Sequence, residues 1–395
     1  MTNHIGFIGH AERVPMSWSS LPPAVWVLVV ARAVNRLGAF TLPFLAVVLT
    51  VELGATVSQA GLILTGFGLA TIPSRLFGGH LADRIGRKWT IVAGLGGCAV
   101  AQLWIAASPG LWSAIPAVVL LGLAFEIYEP PSQAIIADVT GPADRPAAYG
   151  LLGAAMAVAA VAAGLLAAWL GQWDLRWLFV VDAATCLACA VLVGLALPGA
   201  RRAQLNRAAR AWRDRKLLLM LGVGTVFAVL YMEVLFGLPL TMLDEGVPAS
   251  GVGIVLAVSA LTQIAGQPLL RRLVLDDFQV MTVGYVLLAV GLLATGFAGS
   301  LSAFVVAAVV WSLGDLLLLG RALTIVSGLA PEHARGRYLA TYGLSWGFAT
   351  AVAPLAGSWL IEGVGSFGLW AICGLAAGGL AAVQPLLRCR LRKPD

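Results

Sequence analysis

Nine ionisable residues interrupt the long apolar stretches of this 395-residue chain. They comprise four bases and five acids: Arg32, Arg36, Arg75, Arg321, Glu126, Glu129, Asp182, Glu233 and Asp315. A charged side chain in an apolar environment is costly, so such residues usually pair with each other or line a wet cavity. The chemistry open to them is proton exchange or recognition of a charged ligand.

The spacing of these residues favours two local clusters. Arg32 and Arg36 are four apart on one helical face with Asn35 adjacent, and Glu126 and Glu129 are three apart on another face, followed by a Pro-Pro pair. One interpretation is a silent network in which Arg36 pairs with Glu129 or Glu126. The other is that a carboxylate binds and releases a proton, because burial and a movable arginine act on its ionisation in opposite directions.

The elements that carry these residues must lie in a lipid bilayer. Hydrophobic residues make up 60% of the chain and charged residues 11%, whereas a soluble domain has about 25% charged residues. This composition excludes a soluble enzyme. Runs of about 20 apolar residues predict twelve membrane spans, at 24–51, 57–80, 89–108, 112–137, 147–171, 177–197, 217–243, 248–270, 280–299, 302–328, 338–361 and 365–387.

The basic residues predict the orientation of the spans. With the N-terminus inside, 20 of the 25 Lys and Arg residues fall in inner loops and tails, and only Arg176 lies outside. This asymmetry places both termini in the cytoplasm. It also gives the net charge of +6 a topological explanation, so no nucleic-acid partner is expected.

An internal repeat divides the spans into two sets of six. A shift of 189 residues places Glu126 on Asp315 and Tyr149 on Tyr338. The predicted fold is therefore an all-α membrane protein with twelve transmembrane helices in two pseudo-symmetric halves around a central cavity. Its predicted segments are a cytoplasmic tail (1–23), a first half (24–197), a basic linker (198–216), a second half (217–387) and a final tail (388–395).

The loop after the second span carries a recognisable motif. Positions 79–88 read Gly-His-Leu-Ala-Asp-Arg-Ile-Gly-Arg-Lys, which resembles the signature G-x-L-A-D-R-x-G-R-K of the major facilitator superfamily. The resemblance implies a charge relay of Asp83, Arg87 and Asp138 that latches the outward-facing state. The implied gating residues are Gly79, Asp83, Arg84, Gly86, Arg87, Lys88 and Asp138. Alternatively, the basic residues of the loop only set topology, and the matching stretch of the second half, 266–272, has lost the pattern.

The resemblance also implies which helices line the cavity: one, four, seven and ten. These helices carry the expected proton-coupling acids, with Glu126 and Asp315 first, then Glu129 and Glu233. Arg32, Arg36 and Asn35 are their expected charge partners. Asp182 lies on a peripheral helix, and Arg75 is expected to extend to the inner interface. Candidate substrate contacts are Tyr128, Tyr231, Met232, Phe236, Trp311 and Trp346.

Similarity to twelve-helix drug and metabolite exporters rests on Arg-Leu-Gly at 36–38, Pro-Phe-Leu at 43–45 and Tyr-x-Pro-x-Ser-Gln at 128–133. It implies proton-coupled export of a small lipophilic drug or metabolite across a bacterial inner membrane, with a cationic compound as one option. The Gly-Pro hallmark of the fifth helix in such exporters is absent. Two alternatives stay open: proton-coupled import of a metabolite, and a transporter-derived receptor or scaffold without flux.

The proton gradient is the expected energy source, and no cofactor, metal site or catalytic residue is expected. The expected partners are a small-molecule substrate and membrane lipid, with the chain a monomer. Cys186 and Cys189 form a C-x-x-C inside an apolar run, and we interpret them as small core residues.

Overall fold

The computed structural model describes residues 21–38, 41–140, 145–197, 213–272, 275–330 and 335–391. Within these ranges the chain is helical with short connections, so the all-α prediction is confirmed. The helices are α1 (Pro23–Leu37), α2 (Thr41–Val47, continued by a π-helical turn Val48–Glu52), α3 (Val57–Ile85), α4 (Arg87–Ala107), α5 (Leu111–Phe125), α6 (Glu129–Val139), α7 (Arg145–Leu170), α8 (Arg176–Ala196), α9 (Arg215–Asp244), α10 (Ala249–Arg272), α11 (Asp277–Gly296), α12 (Leu301–Leu329) and α13 (Arg335–Leu391).

The membrane spans follow the sequence prediction with two differences. Nine of the described helices are long and apolar enough to cross a bilayer. One of them, α13, contains two spans, because Gly365 (φ 75°) interrupts its helical backbone. The predicted first and fourth spans are not continuous helices: α1 and α2 form one, and α5 and α6 form the other.

The helices pack as two groups, α1–α8 and α9–α13, which meet along three seams. The seams are α3 against α13, α7 against α10, and α2 against α9. The predicted repeat relates the second span to the eighth and the fifth span to the eleventh. The first two seams are therefore equivalent to each other, as expected for two pseudo-symmetric halves.

Small residues bring the two halves into backbone contact at the seam of α7 and α10. A Cβ added to Gly253 would lie 2.4 Å from the backbone nitrogen of Ala168, and one added to Gly164 would lie 2.6 Å from that of Ala257. These positions belong to the half of each helix that is predicted to face outside. The outer side of this seam is therefore closed.

Large apolar side chains cover the outside of the helix bundle. Trp112, Trp173 and Trp177 are exposed near helix ends on the predicted outer side, where tryptophan is favoured at a membrane–water interface. Leu195 and Leu375 are exposed by 83% and 72%. A surface of this kind is stable in lipid and not in water.

Candidate translocation site

The fourth span is broken at the point where its two acids lie. Helix α5 ends at Phe125, and α6 begins at Glu129 with proline at its first positions. Proline has no N–H to donate and favours the first helical turn, so the helix restarts there and does not continue through it. The prediction that Glu126 and Glu129 share one helical face is therefore wrong.

Neighbouring helices hold this break in place. A Cβ added to Gly78 would lie 2.7 Å from the Ile127 carbonyl oxygen, and one added to Gly94 would lie 3.1 Å from the Tyr128 nitrogen. The backbone N–H of Glu126 donates to the hydroxyl of buried Ser74 at 3.0 Å, which ties the break to α3. The two acids are thus presented by a rigid turn.

Glu129 forms an ion pair with Arg32 of α1. The guanidinium of Arg32 also lies 5.3 Å from the centre of the Tyr128 ring, within the range of a cation–π contact. The Tyr128 hydroxyl donates to the Oδ1 atom of Asn35 at 3.3 Å. The predicted Arg–Glu network is present, but its base is Arg32. Arg36 is exposed, one helical turn further along.

Glu126 pairs with a different base on a different helix. The Nε atom of Arg75 on α3 donates to the Oε2 atom of Glu126 at 3.1 Å. A Cβ added to Gly343 on α13 would lie 3.8 Å from an Arg75 guanidinium nitrogen, so this pair borders the opposite half. The expectation that Arg75 only extends to the inner interface is therefore wrong. The pairing of Arg36 with Glu129 or Glu126 is therefore wrong. The spacing of residues along one helix does not show how that helix is rotated relative to its neighbours.

Removing the charge of Glu129 is expected to destabilise the protein more than removing that of Glu126. Breaking a fully buried pair costs about 3–5 kcal/mol. The side chains of Arg32 and Glu129 retain 17% and 27% exposure, so we expect Glu129→Gln to lower the free energy of unfolding by about 2 kcal/mol. Arg75 is 42% exposed, so Glu126→Gln should cost less than about 1 kcal/mol. Thermal unfolding of the purified variants tests this ranking, and equal losses would contradict it.

Asn35 connects this site to further polar groups of the first half. The Asn35 amide donates to the Sγ atom of Cys186 at 3.3 Å, and Gln102 donates to buried Asp182 at 2.8 Å. Cys186 and Cys189 are free and buried, which agrees with their interpretation as core residues. Asp182 is thus hydrogen-bonded within its own half.

In the second half, two acids are buried deeply. Asp315 on α12 is 1% exposed and Glu233 on α9 is 2% exposed. Within the described part of the chain, Oδ1 of Asp315 and Oε2 of Glu233 have no hydrogen-bond partner. The repeat mates Glu126 and Asp315 therefore differ: the first is paired to arginine, whereas the second is enclosed by its half.

An aromatic cluster lies within electrostatic reach of Asp315. Tyr231 and Trp346 meet edge to face with ring centres 5.2 Å apart, and Phe227 lies 6.5 Å from Tyr231 and 6.2 Å from Trp346. Asp315 of one half and Arg36 of the other are both close enough to Tyr231 to act on it electrostatically. Charges from both halves therefore act on this cluster.

The other predicted substrate contacts, Met232, Phe236 and Trp311, do not belong to this aromatic cluster, and each lies in a different environment. Met232 is buried and its sulfur lies 3.9 Å from the Thr350 hydroxyl, and Phe236 lines a narrow cavity beside Glu233. Trp311 is 3% exposed, and a Cβ on Gly291 would lie 2.5 Å from its backbone nitrogen. The backbone of Trp311 is therefore part of the packing of α11 against α12.

The gating motif spans the turn from α3 to α4. Gly86 adopts φ 86° and turns the chain between Ile85 and Arg87. Arg87 is buried, Arg84 is exposed, and Lys88 lies 5.4 Å from the Trp89 ring. The positions of Gly79, Asp83 and Asp138 fall on α3 and α6, but their side chains lie outside the described residues. The charge relay therefore stays a prediction.

The second half carries ion pairs at the corresponding end that sequence reasoning missed. Arg321 on α12 pairs with Asp277 at 2.7 Å, and Arg388 on α13 pairs with Asp276 at 2.7 Å. Asp276 also caps α11. In the second half the acids lie at the start of α11, whereas in the first half bases lie at the start of the corresponding helix α4. Because the second half lacks the glycine-rich motif, its sequence did not indicate that charged residues pair at this end.

A polar contact closes the outer end of the seam between α3 and α13. The carboxylate of Glu362 accepts the Ser58 backbone N–H at 2.8 Å and the Ser58 hydroxyl. Further along the seam, a Cβ added to Gly61 would lie 2.7 Å from the Pro354 carbonyl oxygen. Glu362 falls in a predicted outer loop, and the sequence alone does not indicate its partner.

A bundle of two helical halves that crosses the membrane many times and encloses ionisable residues has the architecture of a multi-pass membrane transporter. The sequence model of the Major Facilitator Superfamily matches residues 28–276 and 219–394. The chain belongs to the major facilitator superfamily, and the resemblance seen in the sequence is confirmed. Its relatives are transporters and not enzymes.

Two relatives and one solved structure illustrate the similarity. YhjO of Bacillus subtilis, named an uncharacterized MFS-type transporter, is 26% identical over 361 residues, which cover 86% of this chain and 88% of that protein. MdtH of Cronobacter sakazakii, named a multidrug resistance protein, is 26% identical over 297 residues and 73% of each chain. A POT family transporter in complex with 5-aminolevulinic acid superposes with a TM-score of 0.81 over 95% of this chain and 98% of that chain, at 12% identity. This superposition shows the fold alone.

Proposed function

We propose that this protein exports a small lipophilic cation in exchange for protons by alternating access. The observation that carries the proposal is Asp315, a carboxylate buried at 1% exposure whose Oδ1 atom has no hydrogen-bond partner among the described residues. Its charge acts on Tyr231 of the aromatic cluster. An ionised carboxylate buried without a partner costs several kcal/mol. Either a proton or a cationic substrate removes that cost, and the two therefore compete for one site.

The aromatic cluster supports a lipophilic cation as the competitor. Tyr231, Trp346 and Phe227 present ring edges and faces within 7 Å of one another. A ligand cation over such rings gains about 0.5–2 kcal/mol beyond the burial of its apolar surface. The aromatic cluster and the Asp315 carboxylate together favour a compound that is mostly apolar and carries a single positive charge.

The closed outer seams support loading from the cytoplasm. Ser58 and Glu362 join the halves at the predicted outer end of one seam, and Gly253 brings the other into backbone contact. An exporter loads its substrate from the cytoplasm while its outer side is closed, so this state is one that the proposed cycle must contain. The positive-inside distribution supports a bacterial inner membrane with both termini cytoplasmic. The name of the Cronobacter relative agrees with export of drugs.

Transport by the purified protein in proteoliposomes tests this function. A pH gradient is imposed, and fluorescent lipophilic cations are compared with neutral compounds of similar shape. We expect the gradient to drive the cations at least about tenfold faster than the neutral compounds, the ratio given by about 1.4 kcal/mol. Protein-free vesicles correct for leakage. Absence of flux for every cation, with the fold intact, would contradict the proposal.

One observation favours a second candidate, transport of a zwitterion. Arg36 and Asp315 belong to opposite halves and both act on Tyr231. Opposite charges that act on one ring suit a compound that carries both a carboxylate and an ammonium group. Gradient-driven flux of zwitterionic probes, with loss in Arg36→Gln, would select this candidate over the cation.

A further inference from the structure

Glu233 is buried at the seam between the two halves, apart from the aromatic cluster. A narrow cavity beside it is lined by residues of α3 from the first half and of α9 and α13 from the second. The residues that matter to the argument are Gly61, Leu64, Phe236, Pro354, Gly357 and Ser358. The carboxylate is therefore covered by a surface that belongs to the opposite half.

Two glycines make this burial possible. A Cβ added to Gly357 would lie 2.2 Å from Oε2 of Glu233, so a larger residue at this position would displace the carboxylate. Across the seam, a Cβ added to Gly61 would lie 2.7 Å from the Pro354 carbonyl oxygen. The first half thus closes directly over the wall that encloses Glu233, and separation of the halves would expose the carboxylate to water.

No charged partner faces Glu233 in the part of the chain that the structure describes. Helix α3 presents Gly61 and Leu64, and α9 presents Phe236. Helix α13 presents the Ser358 hydroxyl, which already donates to the Leu355 carbonyl oxygen, and the buried thiol of Cys373. An ionised carboxylate in such surroundings costs several kcal/mol. That cost disappears when the group is protonated or when the seam opens.

We propose that Glu233 is the proton site that controls the outer gate: the halves close over it when it is protonated and separate on the outer side when it is ionised. The assignment of a transport direction rests on the proposed function. In that cycle the proton enters from the external solution and is released to the cytoplasm. Release then destabilises the closed seam and returns the protein to the outward-open state.

The test measures opening of the outer side without any substrate. Spin labels are attached at Gln172→Cys and Ser302→Cys, exposed positions on the outer side of opposite halves, in a Cys389→Ser background. Their distance distribution is recorded in nanodiscs from pH 5 to pH 9. We expect the outward-open population of the otherwise unmodified protein to rise at least about tenfold with pH. Glu233→Gln, which has the same shape and cannot ionise, should stay closed throughout.

Two further variants make the test decisive. Glu52→Gln removes an exposed acid on the outer side and should retain the response to pH. Gly357→Ala displaces the carboxylate and should populate the open state even at pH 5, which tests the site if Glu233→Gln fails to fold. A pH-dependent opening that survives in Glu233→Gln, or its absence in the unmodified protein, would overturn the proposal. Loss of cation flux with the pH response intact would overturn the export function alone.

Discussion

Asp315→Asn is expected to abolish transport driven by a pH gradient while leaving the fold intact. Asparagine has the size of aspartate but cannot ionise. Because no described hydrogen bond to Oδ1 of Asp315 is lost, the thermal stability should change little. A cation at this site loses its countercharge, and breaking a buried charge pair costs about 3 kcal/mol or more, which corresponds to roughly 100-fold in affinity.

The matched control for this substitution is Asp174→Asn, an exposed aspartate on the predicted outer side. Cation binding and gradient-driven flux are measured for both variants and for a neutral compound of similar shape. The neutral compound should bind Asp315→Asn nearly as well as the unmodified protein, because its contacts are with Tyr231 and Trp346. If Asp315→Asn keeps full gradient-driven flux, Asp315 is not the site of competition. In that case the paired acids Glu126 and Glu129 become the candidates.

The membrane architecture was predictable because hydropathy and charge act locally along the chain. Each span needs only its own apolar residues, and each loop is oriented by its own arginines and lysines. Turns are local for the same reason: the Ser-Pro-Gly stretch at 108–110 and the polar stretch at 171–174 separate α4 from α5 and α7 from α8. These features do not depend on how the helices pack against one another.

The pairing of buried charges was not predictable because it depends on helix rotation and on a break. Arg32 and Arg36 are one turn apart, and only the packing of α1 against α6 decides which of them reaches Glu129. The sequence suggested a kink at the Pro-Pro pair. It did not show that the helix would restart at Glu129 and direct Glu126 to Arg75.

The enclosure of Glu233 illustrates the same limit at the seam between halves. The sequence placed Glu233 in an apolar span and ranked it behind Glu126, Asp315 and Glu129. Its distinctive feature is the contact with Gly357, which lies more than a hundred positions away. The chain has 46 glycines, and nothing in the sequence distinguishes Gly357 as the one that contacts a carboxylate. Only the packing of α9 against α13 makes the relation visible.

Gly253→Val is expected to hold the outer side open and to reduce transport at least about tenfold. The added Cβ would lie 2.4 Å from the Ala168 nitrogen and 2.5 Å from the Gly164 carbonyl oxygen. Both are backbone atoms, so no side-chain rotation relieves the overlap. Overpacking of this kind costs about 1–3 kcal/mol, and separating the halves relieves it while each half keeps its own packing.

Gly222→Val is the matched control, because an added Cβ at exposed Gly222 meets nothing within 4 Å. Both variants replace a helical glycine by valine, so the intrinsic change in helix propensity is the same. A difference between them in transport or in label distance is therefore due to the contact between α7 and α10. The distance between labels at 172 and 302 should lengthen in Gly253→Val at every pH and stay unchanged in Gly222→Val. A closed outer side with normal flux in Gly253→Val would mean that this seam does not separate during transport. Alternating access would then have to occur without opening of α7 from α10.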